Sequence, residues 1–349
     1  MLLAEVPNLP WEDPQGERPV LNPLSIPLHI PDQALRPTAI ALGSFDGLHR
    51  GHRRVIEAIT AITSDVPKSG LGPEEHGDCS GGIGVPTVVS FWPHPREVLH
   101  GETRLRLDLP EEKLELLEPL GIRQLVMVPF TRALAALSPD SFVAEVLVGQ
   151  LQARRVAVGE NFRFGAGRCG DAADLARIGA ACGVAVSVVP LLFEAGERVS
   201  SSRIRRALAA ADLAEAERLL ERSYRFHGLV VPGRGLGRGL GWPTANLQVD
   251  GRKFLPQEGV YAVLAWSGEV HGAGMPAVMN LGPQPTVDPL APSAVEVHLL
   301  DREIDLAGAQ LIVQPVRYLR SQQRFAGLDE LATSIAADAR EAAAILDPI

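Results

Sequence analysis

Apolar positions along the chain fall into two regimes. In the first, short apolar runs alternate with stretches of helical spacing. Thr38 to Leu42 is such a run and ends in glycines. Val55, Ile56, Ile59 and Ile62 then recur three and four residues apart, the period of a helix with one buried face. The alternation continues. Pro86 to Phe91 predicts a strand, and Pro110 to Glu118 a helix with an early proline and acids in its first turn. Leu125 to Val128 predicts a strand. Ser138 as N-cap and Pro139 as first helical residue open another helix. Arg155 to Val158 predicts a strand, Ala172 to Cys182 a helix, and Val184 to Leu191 a strand. Strands that alternate with helices build a parallel sheet with helices on its faces.

The second regime begins near Tyr224. Short β-like runs, His227 to Val231, Gly259 to Trp266, Ala277 to Asn280, Val295 to Leu299 and Gln310 to Val316, are separated by turns rich in Gly and Pro. Strands without intervening helices predict a small antiparallel barrel or sandwich. Alanine-rich Leu328 to Leu346 predicts a closing amphipathic helix. The organisation is therefore a proline-rich irregular lead-in over 1–36, an α/β module over 37–222 and a β module over 223–349. Within the first module, the glycine-rich stretch at about 64–86 has too few apolar residues for a core element and reads as a flexible insertion.

Composition narrows the function. A 46% hydrophobic, 21% charged chain of 349 residues can fill two cores. A net charge of -9 argues against non-specific nucleic-acid or anionic-membrane partners. Cys79, Cys169 and Cys182 form no Cys-x-x-Cys pair, so neither a zinc site nor a disulfide framework is expected. Met1 to Gln15 carries Glu5, Glu12 and Asp13 and no basic stretch, so no signal peptide is expected, and the cytoplasm is the expected location.

Candidate chemistry lies at two places. Gly43-Ser44-Phe45-Asp46-Gly47-Leu48-His49-Arg50-Gly51-His52 joins the first strand to the first helix. Ligands of open parallel sheets bind at such strand ends, and a helix start offers N–H groups to phosphate. On local grounds the two histidines could also serve only as a cap. In the second module, Gly233, Gly235, Gly237 and Gly239 alternate with other residues before Trp242-Pro243-Thr244-Ala245-Asn246. Thr244 and Asn246 in an extended strand point the same way and offer hard oxygen ligands suited to Mg²⁺.

With these segments in place, the chain resembles the prokaryotic bifunctional riboflavin kinase/FMN adenylyltransferase family. The His-x-Gly-His segment resembles its nucleotidyltransferase signature. Val199-Ser200-Ser201-Ser202-Arg203-Ile204-Arg205 resembles its Ser-Ser-Thr-x-x-Arg motif, with Ser202 in place of the usual Thr. Ser90 to Arg96 resembles a Phe-x-Pro-His-Pro loop, with Trp92 where an acid is usual, and Gly159 to Gly165 a Gly-x-Asn-Phe-x-Phe-Gly loop. Gly-Trp-Pro-Thr-Ala-Asn resembles the kinase signature, Val295-Glu296-Val297-His298 the strand carrying its base, and Asn280 to Thr286 a loop near it. Arg317 to Arg320 resembles the start of its C-terminal lid region.

The resemblance implies a Rossmann-like nucleotidyltransferase module followed by an antiparallel six-stranded barrel kinase module with a C-terminal helix. It implies ATP-dependent phosphorylation of riboflavin to FMN and adenylylation of FMN to FAD. Gly43, Ser44, Phe45, Asp46, His49, His52, Ser201, Ser202 and Arg205 would hold ATP for adenylylation, His49 and His52 being catalytic. Asn161, Phe162 and Phe164 would meet the flavin, although both aromatics could equally be packing residues. Gly233, Gly235, Gly237, Gly239, Thr244 and Asn246 would hold the kinase ATP, with Thr244 and Asn246 on Mg²⁺ and Glu296 as base. From the residues alone, Ser200 to Arg205 also reads as a plain serine cap and Glu296 as a solvated barrel-face residue. A monofunctional riboflavin kinase with a degenerate first module, and a non-catalytic flavin-binding protein, are the competing readings.

Overall fold

The computed structural model describes residues 26–61, 84–233, 242–268, 272–282, 295–300, 304 and 306–347. Most of the expected insertion, together with Gly235, Gly237, Gly239 and Cys79, lies outside the described residues. The chain divides into two compact units. The first takes the described residues of Met1–Arg104 and Pro110–Val199, the second Leu105–Leu109 and Ser200–Ile349.

In chain order the first unit contains β1 (Leu28–His29), β2 (Thr38–Leu42), α1 (Arg50–Thr60), β3 (Val85–Trp92), α2 (Pro95–His100), α3 (Pro110–Leu117) and β4 (Gln124–Pro129). Then follow α4 (Arg132–Ala135), α5 (Pro139–Ser141), β5 (Ala153–Gly159), β6 (Arg163–Phe164), β7 (Gly170–Asp171), α6 (Ala172–Ala181), β8 (Ala185–Val189), β9 (Phe193–Glu194) and β10 (Glu197–Arg198). Six strands form one sheet in the order β1-β4-β3-β2-β5-β8, every pairing parallel. The chain steps from β2 to β3 and β4 on one side, then returns to β5 and β8 on the other. Loops leaving the carboxyl ends of β2 and β5 therefore part at the point where open sheets bind ligands.

The sheet is buried on both faces, which is why β2 reads as an unbroken apolar run. On one face Ile40, Leu42, Val156 and Val158 pack with Phe142, Val146, Leu147, Leu175 and Ile178. On the other, Ala39, Ala41, Val88 and Leu125 pack with Val55, Ile56 and Ile59 of α1 and Leu114 and Leu117 of α3. Each such aliphatic side chain contributes about 1.5–3 kcal/mol by leaving water.

Two local features depart from the sequence reading. The expected irregular lead-in contains β1, which adds a parallel edge strand beside β4. A two-residue strand is too short to show a period. The helix opened by Ser138 winds wider over Phe142–Gln150, and the Leu151 N–H reaches the Val146 carbonyl five residues back at 3.1 Å.

The second unit contains α7 (Ser201–Ala209), α8 (Leu213–Leu220), β11 (Phe226–Val231), β12 (Ala245–Gln248), β13 (Gly259–Ser267), β14 (Met275–Leu281), β15 (Val295–Leu299), β16 (Gln310–Arg320) and α9 (Leu328–Leu346). Strands β11-β12-β15-β14-β13-β16 close into a six-stranded antiparallel barrel. Alternate residues fill it, among them Tyr261, Val263 and Ala265 of β13. The other face of β13, Ala262, Leu264 and Trp266, is covered by Ala339, Ala342 and Leu346 of α9. Arg320, ending β16, grips Asp338 of α9 through two nitrogens at 2.8 and 2.7 Å.

Leu105–Leu109 enters this unit although the residues on either side belong to the other. Arg106 bridges to Lys253, and the fully buried Lys253 ammonium donates to the Leu107 carbonyl at 2.7 Å. The Tyr224 hydroxyl also donates to that carbonyl, at 3.2 Å. Arg222 pairs with the buried Asp108 at 2.8 Å.

Candidate functional site

The first candidate site is the loop between β2 and α1. The Gly43 N–H donates to the Val89 carbonyl at 3.1 Å, which holds the chain against β3 as it leaves the sheet. The Ser44 carbonyl then accepts from Ser90 Oγ and from Lys113 Nζ, each at 3.2 Å. The backbone turns left-handed at Phe45 (φ 46°), Gly47 (φ 89°) and Leu48 (φ 39°). Two of these carry side chains, which that conformation disfavours. Burial of Phe45 and Leu48 offsets the strain, each being 1% exposed. Asp46 is buried as well.

This loop delivers His49 to the N-cap of α1, where its Nδ1 accepts from the His52 N–H at 3.3 Å. An accepting Nδ1 places the ring proton on Nε2. The two imidazoles stack, with centroids 3.7 Å apart and planes at 15°, and Phe45 supports the His52 ring from 5.2 Å. Gly51 keeps the space open, since a Cβ there would meet the His49 ring at 3.2 Å. Burial, first of all, and then the neighbouring His49 and Lys113 hold the His52 pKa well below its ordinary value. His52 Nδ1 is buried and has no hydrogen-bond partner among the described residues. Capping by His49, one of the two readings left open by the sequence, is realised in the fold.

The other strand-end loops lie along the same edge of the sheet. After β5, the Phe162 N–H returns to the Gly159 carbonyl at 2.9 Å, a tight turn that leaves Asn161 exposed. Phe162 is half-buried and stacks on Phe164 at 5.7 Å. Phe164 itself is 6% exposed and packs against Phe142, so for this ring the packing role is the one the fold uses. After β3, Trp92 is a core residue and His94 caps α2.

Ser201, Ser202 and Arg205 stand at the start of α7 in the second unit, while His49 and His52 belong to the first. Ser200 caps α7 by accepting from the Arg203 N–H at 3.3 Å. Arg205 Nη2 donates to the Leu105 carbonyl at 3.0 Å.

The second candidate site lies on the outer face of the barrel. In the register of β12 and β15, Asn246 stands directly opposite Glu296, and across β14 and β15 Glu296 stands opposite Asn280. Directly opposed residues share a face, with Cβ atoms about 5 Å apart. Val295 and Val297 point into the core and Glu296 out to solvent, as alternation requires. Thr244 lies two residues before Asn246, just ahead of β12. The Pro243 carbonyl just before Thr244 is 2.7 Å from His298 Nδ1, and the Trp242 ring meets His298 edge-on at 5.0 Å. Gln322 donates to Asn280 Oδ1 at 3.0 Å.

His298, Asn280 and Gln322 were not assigned roles from the sequence. The Val-His pair after Glu296 was the available signal for His298, because period two puts both polar side chains on one face.

Gly233 stands against Asn246, and a Cβ there would lie 1.9 Å from Asn246 Nδ2 and 2.4 Å from Cγ. Gly233→Ala is therefore expected to displace Asn246, and a phosphoryl transfer that uses this row should fall about tenfold or more, since small misplacements within a site are costly. Thermal unfolding should change little, because the side chain that must move is partly exposed. Steady-state kinetics on the folded variant check this.

Comparison with known proteins finds relatives for both parts of the chain. The family model described as FAD synthetase matches residues 32–71 and 79–203, and that described as riboflavin kinase matches 220–346. The Escherichia coli (strain K12) bifunctional riboflavin kinase/FMN adenylyltransferase is 38% identical over 304 residues, covering 86% of this chain and 90% of that protein. The Pseudomonas fluorescens protein of the same name is 37% identical over 315 residues, covering 90% and 94%. A solved structure described as a macrolide-efflux protein from Streptococcus pneumoniae is 26% identical, with a TM-score of 0.73 over 90% of this chain and 97% of that one. Among the described residues here, no helix is long and apolar enough to cross a membrane.

Proposed function

The chain belongs to the bifunctional riboflavin kinase/FMN adenylyltransferase family, and from that premise we propose how its residues divide the work. The protein phosphorylates riboflavin to FMN with ATP and adenylylates FMN to FAD. The adenylyltransferase module spans 37–222 and the kinase module 223–349. The kinase assignment rests above all on one observation, the row in which Asn246 faces Glu296.

In the kinase step the ribityl hydroxyl oxygen attacks the γ-phosphorus of ATP, and the bond to the departing ADP oxygen breaks. Glu296 accepts the hydroxyl proton as the new bond forms. Its exposed position between the buried Val295 and Val297 suits a base that must meet a bulky substrate. Gly233, Gly235, Gly237 and Gly239 offer backbone N–H groups to the phosphates. Thr244 and Asn246 fit a hard cation: both offer oxygen, and the space Asn246 occupies exists only because Gly233 has no side chain. Bound there with ATP, Mg²⁺ would neutralise phosphate charge. Among the described residues no three His, Cys, Asp or Glu converge, so nucleotide oxygens would complete its shell.

In the adenylyl step a phosphate oxygen of FMN attacks the α-phosphorus of ATP and pyrophosphate leaves. Gly43, Ser44, Phe45 and Asp46 shape the ATP loop, and His49 and His52 hold the triphosphate. The buried Nδ1 of His52 supports this reading. Leaving such an atom unmet costs about 1–3 kcal/mol, which a phosphate oxygen beside a protonated Nδ1 would recover. The start of α7, with Ser201, Ser202 and Arg205, reads by itself as an anion site of the second unit. Asn161 and Phe162 meet the flavin, with Phe164 seated behind Phe162. We place the enzyme in the cytoplasm, consistent with two exposed thiols among the described residues, Cys169 and Cys182.

Incubation with riboflavin, ATP and Mg²⁺, resolving FMN and FAD over time, tests the whole reading. FMN should form first and FAD after it. FMN accumulating without FAD, also when FMN is supplied, would leave only the kinase.

A further inference from the structure

Lys113 lies in Pro110-Glu111-Glu112-Lys113-Leu114-Glu115, a stretch whose charge suggests a solvated helix. In the fold Lys113 is 5% exposed, and its ammonium donates to the Ser44 carbonyl at 3.2 Å. Ser90 Oγ, from β3, donates to the same carbonyl at the same distance. One backbone oxygen is thus held by two donors from two different elements. That oxygen immediately precedes Phe45, where the chain turns left-handed, and Phe45 is the ring against which His52 rests. Burying a lysine is unfavourable unless its charge has a task or a partner.

We infer that Lys113 is a positioning residue for adenylyl transfer: with Ser90 it clamps the Ser44 carbonyl and so fixes the left-handed turn that sets the stacked His49–His52 pair. The inference rests on the reading of that pair as the adenylyltransferase site. The same ammonium also places a buried positive charge beside the loop that receives the triphosphate. Its electrostatic effect and its clamp act in one direction, since both favour a polyanion held at the start of α1.

The test uses the full-length chain with four proteins: wild type, Lys113→Met, Ser90→Ala and the double variant. Each is assayed for FAD formation from FMN and for FMN formation from riboflavin, with thermal unfolding recorded for each. Lys113→Met is expected to lower kcat for FAD formation about tenfold or more, with KM for FMN little changed, because the defect is orientation rather than substrate binding. FMN formation should be unchanged, and an unfolding transition like that of the wild type reports that the first unit is folded. Ser90→Ala should give a smaller loss in the same direction. The double variant should lose less than the product of the two single losses, because both side chains act on one carbonyl. A Lys113→Met protein that makes FAD at the wild-type rate, or losses that multiply independently, would overturn the inference. If the wild type itself makes no FAD, it is the assignment of the site that fails, a separate result.

Discussion

Glu296→Gln abolishes most riboflavin phosphorylation while FAD formation from supplied FMN continues. Glutamine keeps the size and shape of the side chain and removes its ability to take a proton. General-base catalysis contributes roughly 10²–10⁴-fold, so kcat for FMN formation should fall by that order. Glu296 is exposed on the outer face of β15 and its neighbours Val295 and Val297 hold the strand in the core, so the substitution should leave the barrel intact. The measurement is a time course with riboflavin and ATP alongside one with FMN and ATP. A folded variant that loses both activities together would show that the two sites do not work independently. One that keeps full kinase activity would remove Glu296 as the base.

The second large effect concerns His52. His52→Ala should lower FAD formation roughly 10²–10³-fold, the scale seen when one preorganised donor to a developing oxyanion is removed. Burial, His49 and Lys113 disfavour its protonation, so near neutral pH the free enzyme carries a neutral ring. The loss is then that of an N–H donor and of the ring stacked on His49, not of a permanent cation. Kinase activity should be retained, because the barrel row of Asn246, Glu296 and Asn280 contains no residue of the first unit. An equal fall in FMN and FAD production would contradict this assignment.

How much of this was legible in the sequence depended on the range of the interaction. The β2-to-α1 loop was legible because an apolar run ends in glycines and a helical period follows, all within local reach. Five strands of the parallel sheet followed from alternation alone, whereas β1, two residues long, shows no period. The pairing of β12 with β15 did not follow from periodicity. Period two says which residues of a strand share a face, but not which strand lies beside it, and Asn246 and Glu296 are far apart in sequence. The family resemblance supplied both residues, and the register places them directly opposite each other. Lys113 escaped notice because three glutamates surround it. Its burial is decided by where α3 packs, which composition does not encode. Phe162 and Phe164 illustrate the same limit, since identical residue types two apart can part company at the edge of a core.

The route of residues 105–109 carries a practical consequence. A single scission between the two units cannot yield two self-sufficient pieces. A fragment starting at Ser200 would retain the Lys253 ammonium and the Tyr224 hydroxyl but forfeit the Leu107 carbonyl that both address. Anyone wishing to separate the halves, or to graft one onto another protein, must supply that pentapeptide in trans or redesign the surface it leaves behind. The polypeptide is stitched rather than merely joined end to end.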